Sequence, residues 1–479
     1  MLKLFTAFGI CMISLAGSVF AKVILPPLIS NNMVLQQQSK VALWGKADAN
    51  VELRVNTTWN NKQYRTRANE FGNWKILVST PKAGGPYEIS FTDGEKVTIS
   101  NVMIGEVWIC SGQSNMEMTF KGFGPTTQPV LSQPGQEANI HSLRLFTVKR
   151  ATGSTPREIA DGNWDESTTA VATAFSAVGY QFGKMLYDSL KVPVGIIVTS
   201  WGGARIEHWM SKESLEPFPE ITIPIGIDTM KVPEKAATAL FNGMIAPLVN
   251  YSIKGFLWYQ GESSRDVPIL YTRLQPALVT DWRKHWQDNK LPFYYVQITP
   301  FTYPNDKHAM YGVLMREAQL KALKSIPHAG MAVTTDVGSE QKIHPPDKTT
   351  VALRLGYIAL AKTYGKKGIA YKSPVYRSIK ITGNKAILRF DQAENGLTAK
   401  GKQLTNFEIA GSDKIFYPAT AIIIDGEKVE VKAEKVPSPT AVRYAFKNWA
   451  VGDLFNEEGL PASSFRTDSW DIPPFIFSK

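Results

Sequence analysis

Four apolar runs in the middle of this chain each end in a turn that carries small or reactive residues. The runs span residues 107–110, 194–198, 253–257 and 331–335. Segments with helical periodicity accompany them, at 174–190 and 349–364. Apolar strands that alternate with helices predict a doubly wound α/β fold with a parallel sheet. Because the carboxyl ends of such strands share one edge, where α/β proteins bind ligands, we expect the four turns to lie together.

The turn after the first run reads Gly112-Gln113-Ser114-Asn115-Met116. Glycine permits a tight turn, and the serine that follows can start a helix. The serine hydroxyl then lies at the sheet edge, beside the free backbone N–H groups of a helix start. An acyl-transfer nucleophile needs this setting, so Ser114 is the candidate nucleophile. A capped helix start without a catalytic role would give the same pentapeptide, and the assignment therefore depends on the other turns.

A serine hydroxyl is inert at neutral pH without a base that takes its proton. The chain contains six histidines, and His344 has the best context among them. It follows the fourth apolar run and precedes a helical segment, and Pro345-Pro346 stiffens its turn. We therefore expect His344 to act as the general base. A histidine in a surface loop without catalytic role is the alternative.

The turns and three distant motifs together resemble those of the SGNH-type hydrolases and, most closely, the sialate O-acetylesterase family. The matching segments are residues 25–37, 82–87, 112–116, 199–203, 258–262, 343–348 and 456–468. The resemblance implies an SGNH-type α/β fold, in which a three-layer core with a parallel sheet is flanked by N-terminal and C-terminal β-rich units. It also implies a secreted serine esterase that removes O-acetyl groups from sialic acids. Related esterases act on acetylated xylan or other plant glycans, so that substrate class remains open.

A catalytic histidine works best when an acid holds its tautomer. Many SGNH enzymes carry an aspartate three residues before the histidine, but this chain has Gln341 there. Two other carboxylates follow apolar runs. Glu262 matches an acid common to the family, and Asp336 lies upstream in the same loop as His344. We favour Glu262 and keep Asp336 as the alternative; if neither contacts the ring, the enzyme runs on a Ser–His dyad.

Acyl transfer also needs hydrogen-bond donors for the tetrahedral oxyanion. We expect the backbone N–H groups of Ser114 and Gly203 to supply two, although Gly202-Gly203 could also be a simple tight turn. The side chain of Gln260 is the expected third donor, in the place where related hydrolases use an asparagine. Three further side chains near the strand ends are expected to bind substrate: Trp201, Tyr259 and Arg205. Of these, Arg205 is the candidate contact for a sialate carboxylate.

The organisation along the chain predicts a leader and three domains. Residues 1–21 read as a signal peptide, with Lys3, an apolar core at 4–15 and a cleavage site after Ala21, which places the protein in the periplasm or outside the cell. Residues 22–104 read as a β-sandwich, 105–372 as the esterase domain and 373–479 as a β-rich domain. Only Cys110 remains after cleavage, so no intramolecular disulfide can form.

Composition excludes several classes of function. The net charge is +11, but the basic residues are scattered and form no nucleic-acid-binding motif. No stretch beyond the leader is long enough for membrane insertion, and no metal or cofactor motif occurs. The expected partner is an O-acetylated sugar or glycan, with no metal and no cofactor. A non-catalytic glycan-binding module is the competing class, and the oligomeric state is left open.

Overall fold

The computed structural model describes residues 23–124, 128–227 and 230–474, so the leader at 1–21 lies outside the described residues. The helices are α1 (Ser114–Glu117), α2 (Thr169–Ala174), α3 (Ala177–Leu190), α4 (Lys212–Leu215), α5 (Pro268–Trp286), α6 (Tyr311–Leu323) and α7 (Lys348–Ile358). Short π-helical segments lie at Phe241–Ile245 and Ala359–Thr363. Within the described residues, no helix combines the length and apolar character needed to cross a membrane.

The strands of the first half of the chain are β1 (Val34–Gln36), β2 (Lys40–Lys46), β3 (Glu52–Thr57), β4 (Lys62–Arg67), β5 (Asn73–Ser79), β6 (Gly84–Thr92), β7 (Lys96–Gly112), β8 (Ile140–Thr147), β9 (Trp164–Ser167) and β10 (Val194–Ser200). Those of the second half are β11 (Gly255–Tyr259), β12 (Phe293–Val296), β13 (Ala329–Ala332), β14 (Val375–Thr382), β15 (Lys385–Asp391), β16 (Leu397–Thr398), β17 (Phe407–Ala410), β18 (Phe416–Pro418), β19 (Thr420–Ile424), β20 (Lys428–Lys432), β21 (Ala441–Tyr444), β22 (Phe455–Asn456) and β23 (Phe465–Arg466).

The central sheet has the strand order β13–β12–β11–β7–β10–β8–β9. The strands from β13 to β8 run parallel, and β9 pairs antiparallel with β8 at the edge. Strand β10, between β7 and β8, is buried at every position, as expected of a parallel strand covered on both faces. The four predicted apolar runs supply β7, β10, β11 and β13, so the fold is mixed α/β with a central mixed sheet.

Side chains of the sheet alternate between two apolar clusters, one on each face. On one face, Trp108 and Ile196 pack in a cluster with residues of α3 and α7, such as Phe182 and Leu355. On the other face, neighbouring strand residues pack with residues of α5 and α6, such as Trp282. Helices therefore cover both faces of the described sheet, and the carboxyl ends of its strands are where a ligand is expected to bind.

Strand β7 is shared between the central sheet and the N-terminal β-rich unit. Its first half pairs antiparallel with β6, and its second half pairs with β10 and β11. Strands β3, β4 and β6 continue the sheet outward, while β2 and β5 form a separate antiparallel pair. The predicted boundary between residues 104 and 105 thus falls inside one continuous strand.

The C-terminal unit contains two four-stranded antiparallel sheets, ordered β14–β15–β20–β19 and β18–β17–β21–β23. Its own apolar core includes Leu388 and Phe465. The unit is attached to helix α6 of the central domain through the fully buried Arg316, whose guanidinium donates to the Ser464 hydroxyl and to the carbonyl of Lys447.

Candidate active site

The carboxyl ends of β7, β10 and β11 meet at one edge of the sheet. Gly112, the last residue of β7, pairs with Ser200 on one side and with Tyr259 on the other. Its φ is +136°, and a Cβ there would lie 2.1 Å from the carbonyl oxygen of Tyr259, so only glycine fits. The chain turns at once into the single helical turn α1, which places Ser114 at the opening of a cleft of about 670 Å³.

The loop after β13 brings His344 to the same cleft. Its Nε2 lies 2.8 Å from the Oγ of Ser114, within the range of a hydrogen bond. The ring of Phe123 packs edge-on against the imidazole, at 5.0 Å between centroids. Burial, and then the positive charge of Lys348, lower the pKa of His344 to about 4. The imidazole is therefore neutral at pH 7, which is the form that can accept a proton from the serine.

Neither candidate acid is hydrogen-bonded to this ring. Glu262 is buried, and its Oε1 accepts a bond of 2.5 Å from Nδ2 of Asn115. Asp336 forms two bonds of 2.7 Å with the guanidinium of Arg354. Among the described residues, none forms a hydrogen bond to Nδ1 of His344. The expectation that Glu262 or Asp336 orients the imidazole directly is thus corrected, because each carboxylate is bonded to a different partner.

Glu262 instead belongs to a buried polar network beside the nucleophile. Lys348 is fully buried, and its Nζ donates to Oδ1 of Asn115 at 2.5 Å. Asn115 Nδ2 also reaches the carbonyl of Ile343, the residue before His344, at 3.1 Å. Burial raises the pKa of Glu262, and it lowers the pKa of Lys348 to about 7. The network therefore connects the ends of β7 and β11 with the histidine loop.

Sequence reasoning had left Asn115 and Lys348 out of the site. The available signals were that Asn115 follows Ser114 directly and that Lys348 lies four residues beyond His344. Asp347 caps α7 by accepting a bond from the Thr350 backbone at 2.9 Å, which fixes Lys348 at the first position of that helix. The lysine then points back toward the nucleophile rather than into solvent.

The structure places two of the three expected oxyanion donors at the cleft. The backbone N–H groups of Ser114 and Gly203 form no hydrogen bond within the described residues, and both residues line the cleft. Gly203 has φ of +77°, a conformation that favours glycine. The expectation that the Gln260 side chain is the third donor is corrected. Gln260 is wholly buried, and its Nε2 donates to the Ala204 carbonyl and to the Ser264 hydroxyl. Both amide hydrogens are used, so none remains for an oxyanion.

None of the three expected substrate contacts is among the residues that line the cleft. Arg205 is bonded to Glu207 at 2.7 Å and to Asp266 at 2.8 Å, so its charge is already neutralised. Tyr259 is fully buried, and Trp201 is half-buried and not part of the lining. The side chains that do surround the entrance were missed by sequence reasoning: Gln113, Glu117, Phe123, Arg150, Arg265 and Lys342.

The described residues form no group of three or more His, Cys, Asp or Glu side chains that could hold a metal ion. What they do form is a serine bonded to a neutral imidazole, beside two unpaired backbone donors. This arrangement suits acyl transfer through a serine nucleophile. The absence of a cofactor stays a prediction.

Comparisons with known proteins agree with this chemistry. Residues 104–364 match the model of a family described as carbohydrate esterase, sialic acid-specific acetylesterase. The sialate O-acetylesterase of Homo sapiens is 29% identical over 462 residues, which cover 88% of this chain and 87% of that protein. The sialate O-acetylesterase of Mus musculus is 29% identical over 517 residues, with 94% and 93% covered.

A solved structure resembles most of this chain. It is a carbohydrate acetylesterase from Xanthomonas citri, with a TM-score of 0.84 and 34% sequence identity. The match covers 94% of this chain and 100% of that one. With more than half of its residues matched by the family model, this chain belongs to the sialic acid-specific acetylesterase family of carbohydrate esterases, and it is a carboxylic ester hydrolase.

Proposed function

We propose that this protein removes O-acetyl groups from carbohydrates, with O-acetylated sialic acids as the substrate class. The observation that carries the proposal is the bond of 2.8 Å between Ser114 Oγ and His344 Nε2 in an open cleft. Sialate O-acetylesterases that match most of the chain support the choice of sugar. A non-catalytic glycan-binding module would not need a neutral imidazole held against a serine hydroxyl.

The reaction begins when Ser114 Oγ attacks the acetyl carbonyl carbon and His344 Nε2 takes the hydroxyl proton. The carbonyl oxygen becomes an oxyanion, and the N–H groups of Ser114 and Gly203 stabilise it. His344 then returns the proton to the departing sugar oxygen, which leaves an acetyl group on the serine. Water, deprotonated by His344, attacks this ester, and His344 returns the proton to Ser114 Oγ as acetate leaves.

We assign to the buried network the positioning that an acid provides in a Ser–His–Asp triad. Asn115 bonds the carbonyl of Ile343, and Ile343 precedes the base directly. Glu262 and Lys348 hold the Asn115 amide from its two ends. The catalytic pair is thus a Ser–His dyad in direct contact, and Glu262 acts on the base only through Asn115 and the backbone.

The finer description of the fold and of the cellular location belongs to the same proposal. Helices on both faces of the parallel strands support an SGNH-type three-layer core. The charge and apolar pattern of residues 1–21 supports export to the periplasm or the medium. A mature chain that starts at Lys22, detected by mass spectrometry after expression with the leader, would agree with export; an intact Met1 in a chain that stays in the cytoplasm would contradict it.

Acetylated neutral glycans such as acetylxylan are the second candidate substrate class. The observation that favours them is the state of Arg205, since two carboxylates occupy the arginine that was expected to bind a sialate carboxylate. The two classes differ in charge, so a matched pair of substrates separates them. The comparison uses a 9-O-acetylated sialic acid and the same sugar with its carboxylate converted to a methyl ester.

The decisive test replaces the nucleophile. Ser114→Ala should lower acetate release from both sugars and from 4-nitrophenyl acetate by ~10³-fold or more, because the variant lacks the hydroxyl on which the acetyl intermediate forms. The exposed Ser412→Ala serves as the matched control and should keep full activity. Full activity of Ser114→Ala would refute the assignment.

Loss of activity after treatment with a chelator, restored by one divalent ion, would refute the metal-free mechanism.

A further inference from the structure

Gly203 makes no packing contacts of its own within the described residues, although Trp201 before it packs against the core and Ala204 after it is buried. Gly203 is exposed, and a Cβ added there would meet no atom within 4 Å. The position of the Gly203 donor therefore depends on the packing and the hydrogen bonds of its neighbours, among them the bond from Gln260 to the Ala204 carbonyl. Trp201 N–H donates to the carbonyl of Gly112 at 3.2 Å, which ties the start of the loop to β7.

The second tie comes from the helical turn of the nucleophile itself. Oε2 of Glu117 accepts a bond of 2.9 Å from the backbone N–H of Gly202. Glu117 ends the same turn, α1, that begins with Ser114. This bond therefore helps to fix the distance between the two oxyanion donors. One donor lies at the start of α1, and the other lies next to Gly202. Both Glu117 Oε2 and the Ser114 side chain also approach the Gly202 Cα, since a Cβ there would lie 3.2 Å and 3.5 Å from them.

Arg150 holds the other oxygen of the Glu117 carboxylate. Its Nε and Nη2 both donate to Oε1, and its guanidinium lies 5.1 Å from the centroid of the Trp201 ring. The arginine thus fixes the rotamer of Glu117 and neutralises a negative charge that would otherwise oppose the developing oxyanion. The pair is partly exposed, so it contributes little to the stability of the fold.

We propose that Glu117 is a positioning residue for the oxyanion hole, which acts by holding Gly202, and with it the Gly203 donor, in register with Ser114. The inference rests on the proposed function, because it needs a serine esterase with these two donors. The hydrogen bonds of Glu117 go to Arg150 and to the Gly202 backbone and not to His344, so we expect it to act through the backbone. Its loss should therefore slow the chemical step and leave substrate binding in place.

The test compares three variants. Glu117→Ala should lower kcat by ~10- to 100-fold, somewhat less than the deletion of a complete oxyanion donor, with KM within ~3-fold of the wild type. Glu117→Gln keeps an amide oxygen for Gly202 and should recover most of that loss. The control is Glu220→Ala, which breaks a similar pair: Arg273 bonds Glu220 and lies 5.1 Å over the Phe218 ring. It should keep the wild-type kcat.

The outcomes separate the two proposals. A kcat of Glu117→Ala equal to that of Glu220→Ala would overturn the inference, as would a Glu117→Gln variant no better than Glu117→Ala. A raised KM with unchanged kcat would also overturn it, because it would place Glu117 in substrate binding. If Ser114→Ala is inactive in the same assays, these results refute only the positioning role. If Ser114→Ala is active, the proposed function itself fails. Circular dichroism of each variant serves as the check that the fold is retained.

Discussion

Two carboxylates, Glu262 and Asp336, follow parallel strands of the central sheet at equivalent positions but have different roles. Strands β11 and β13 are parallel, separated by β12, and each is followed by a loop with a carboxylate. Glu262 follows β11 and Asp336 follows β13. On strand-end position alone both were equal candidates for a catalytic acid. Their partners distinguish them.

Asp336 has both oxygens occupied by the guanidinium of Arg354, which also donates to the carbonyl of Val333. Since Arg354 lies on α7, this pair braces the β13 loop against a helix. Glu262 has one oxygen on Asn115, and its buried Oε2 has no hydrogen-bond partner within the described residues. A strand end thus supplies position, but the hydrogen-bond partner distinguishes a carboxylate that braces the fold from one that lies beside the nucleophile.

The largest expected difference is kinetic. Glu262→Ala should lower kcat by ~10²-fold, because Asn115 loses an acceptor and the carbonyl of Ile343 loses its fixed donor. Asp336→Ala should leave the kcat of the folded fraction within ~3-fold of the wild type. Steady-state acetate release, normalised to the folded fraction, measures both. If the order of the two variants were reversed, Asp336 would be the functional acid.

The second expected difference is in the stability of the fold, and here Asp336 is the carboxylate whose loss has the effect. Asp336→Asn should lower the free energy of unfolding by about 2 kcal/mol, because the nearly buried Arg354 loses a charged hydrogen-bond partner. Urea unfolding measures this change. The control is Asp391→Asn, which breaks the exposed pair with Arg377 and should leave the midpoint unchanged. Equal stability of both variants would show that the Arg354 pair does not brace the loop.

Much of this site could be predicted from the sequence. The apolar runs predicted the parallel strands, and the glycine-serine turn predicted where the serine lies. Ser114, Gly203 and His344 do line one cleft, although their roles in catalysis remain predictions. These residues belong to turns whose position follows from local pattern and from the rule that parallel strands end at a common edge.

The contacts of Gln260, Tyr259 and Arg205 could not be predicted from the sequence in the same way. Whether a side chain at a strand end faces the cleft or the interior depends on partners remote in sequence. Arg205 is bonded to Asp266, 61 residues away, and Lys348 reaches Asn115 across 233 residues. No local pattern contains such pairs. The same limit explains why the two acids could not be separated before their partners were known.

The smallest expected effect is on the pH dependence of kcat/KM, and it separates the cations beside the two carboxylates: Lys348 in the Glu262 network and Arg354 beside Asp336. His344 must be neutral to act as a base, so activity is lost as the pH falls through its pKa. Because that pKa is lowered to about 4, the acid limb should lie near pH 4 rather than near the usual 6.5. Lys348 is protonated at this pH, and its charge is the second cause of the shift after burial.

Lys348→Met should therefore move the acid limb upward, by roughly half a pH unit, while the remaining effect of burial keeps it below 6.5. Burial raises the pKa of Glu262, which favours its neutral form in acid, so the loss of the lysine leaves little unpaired charge where the limb is measured. Arg354→Met, further along the same helix α7, removes a positive charge that is bonded to Asp336 and should leave the limb in place. A shift in both variants would mean that the field at His344 is set by net charge rather than by Lys348. An unshifted limb in Lys348→Met would leave burial as its only cause and would separate the buried network from the base.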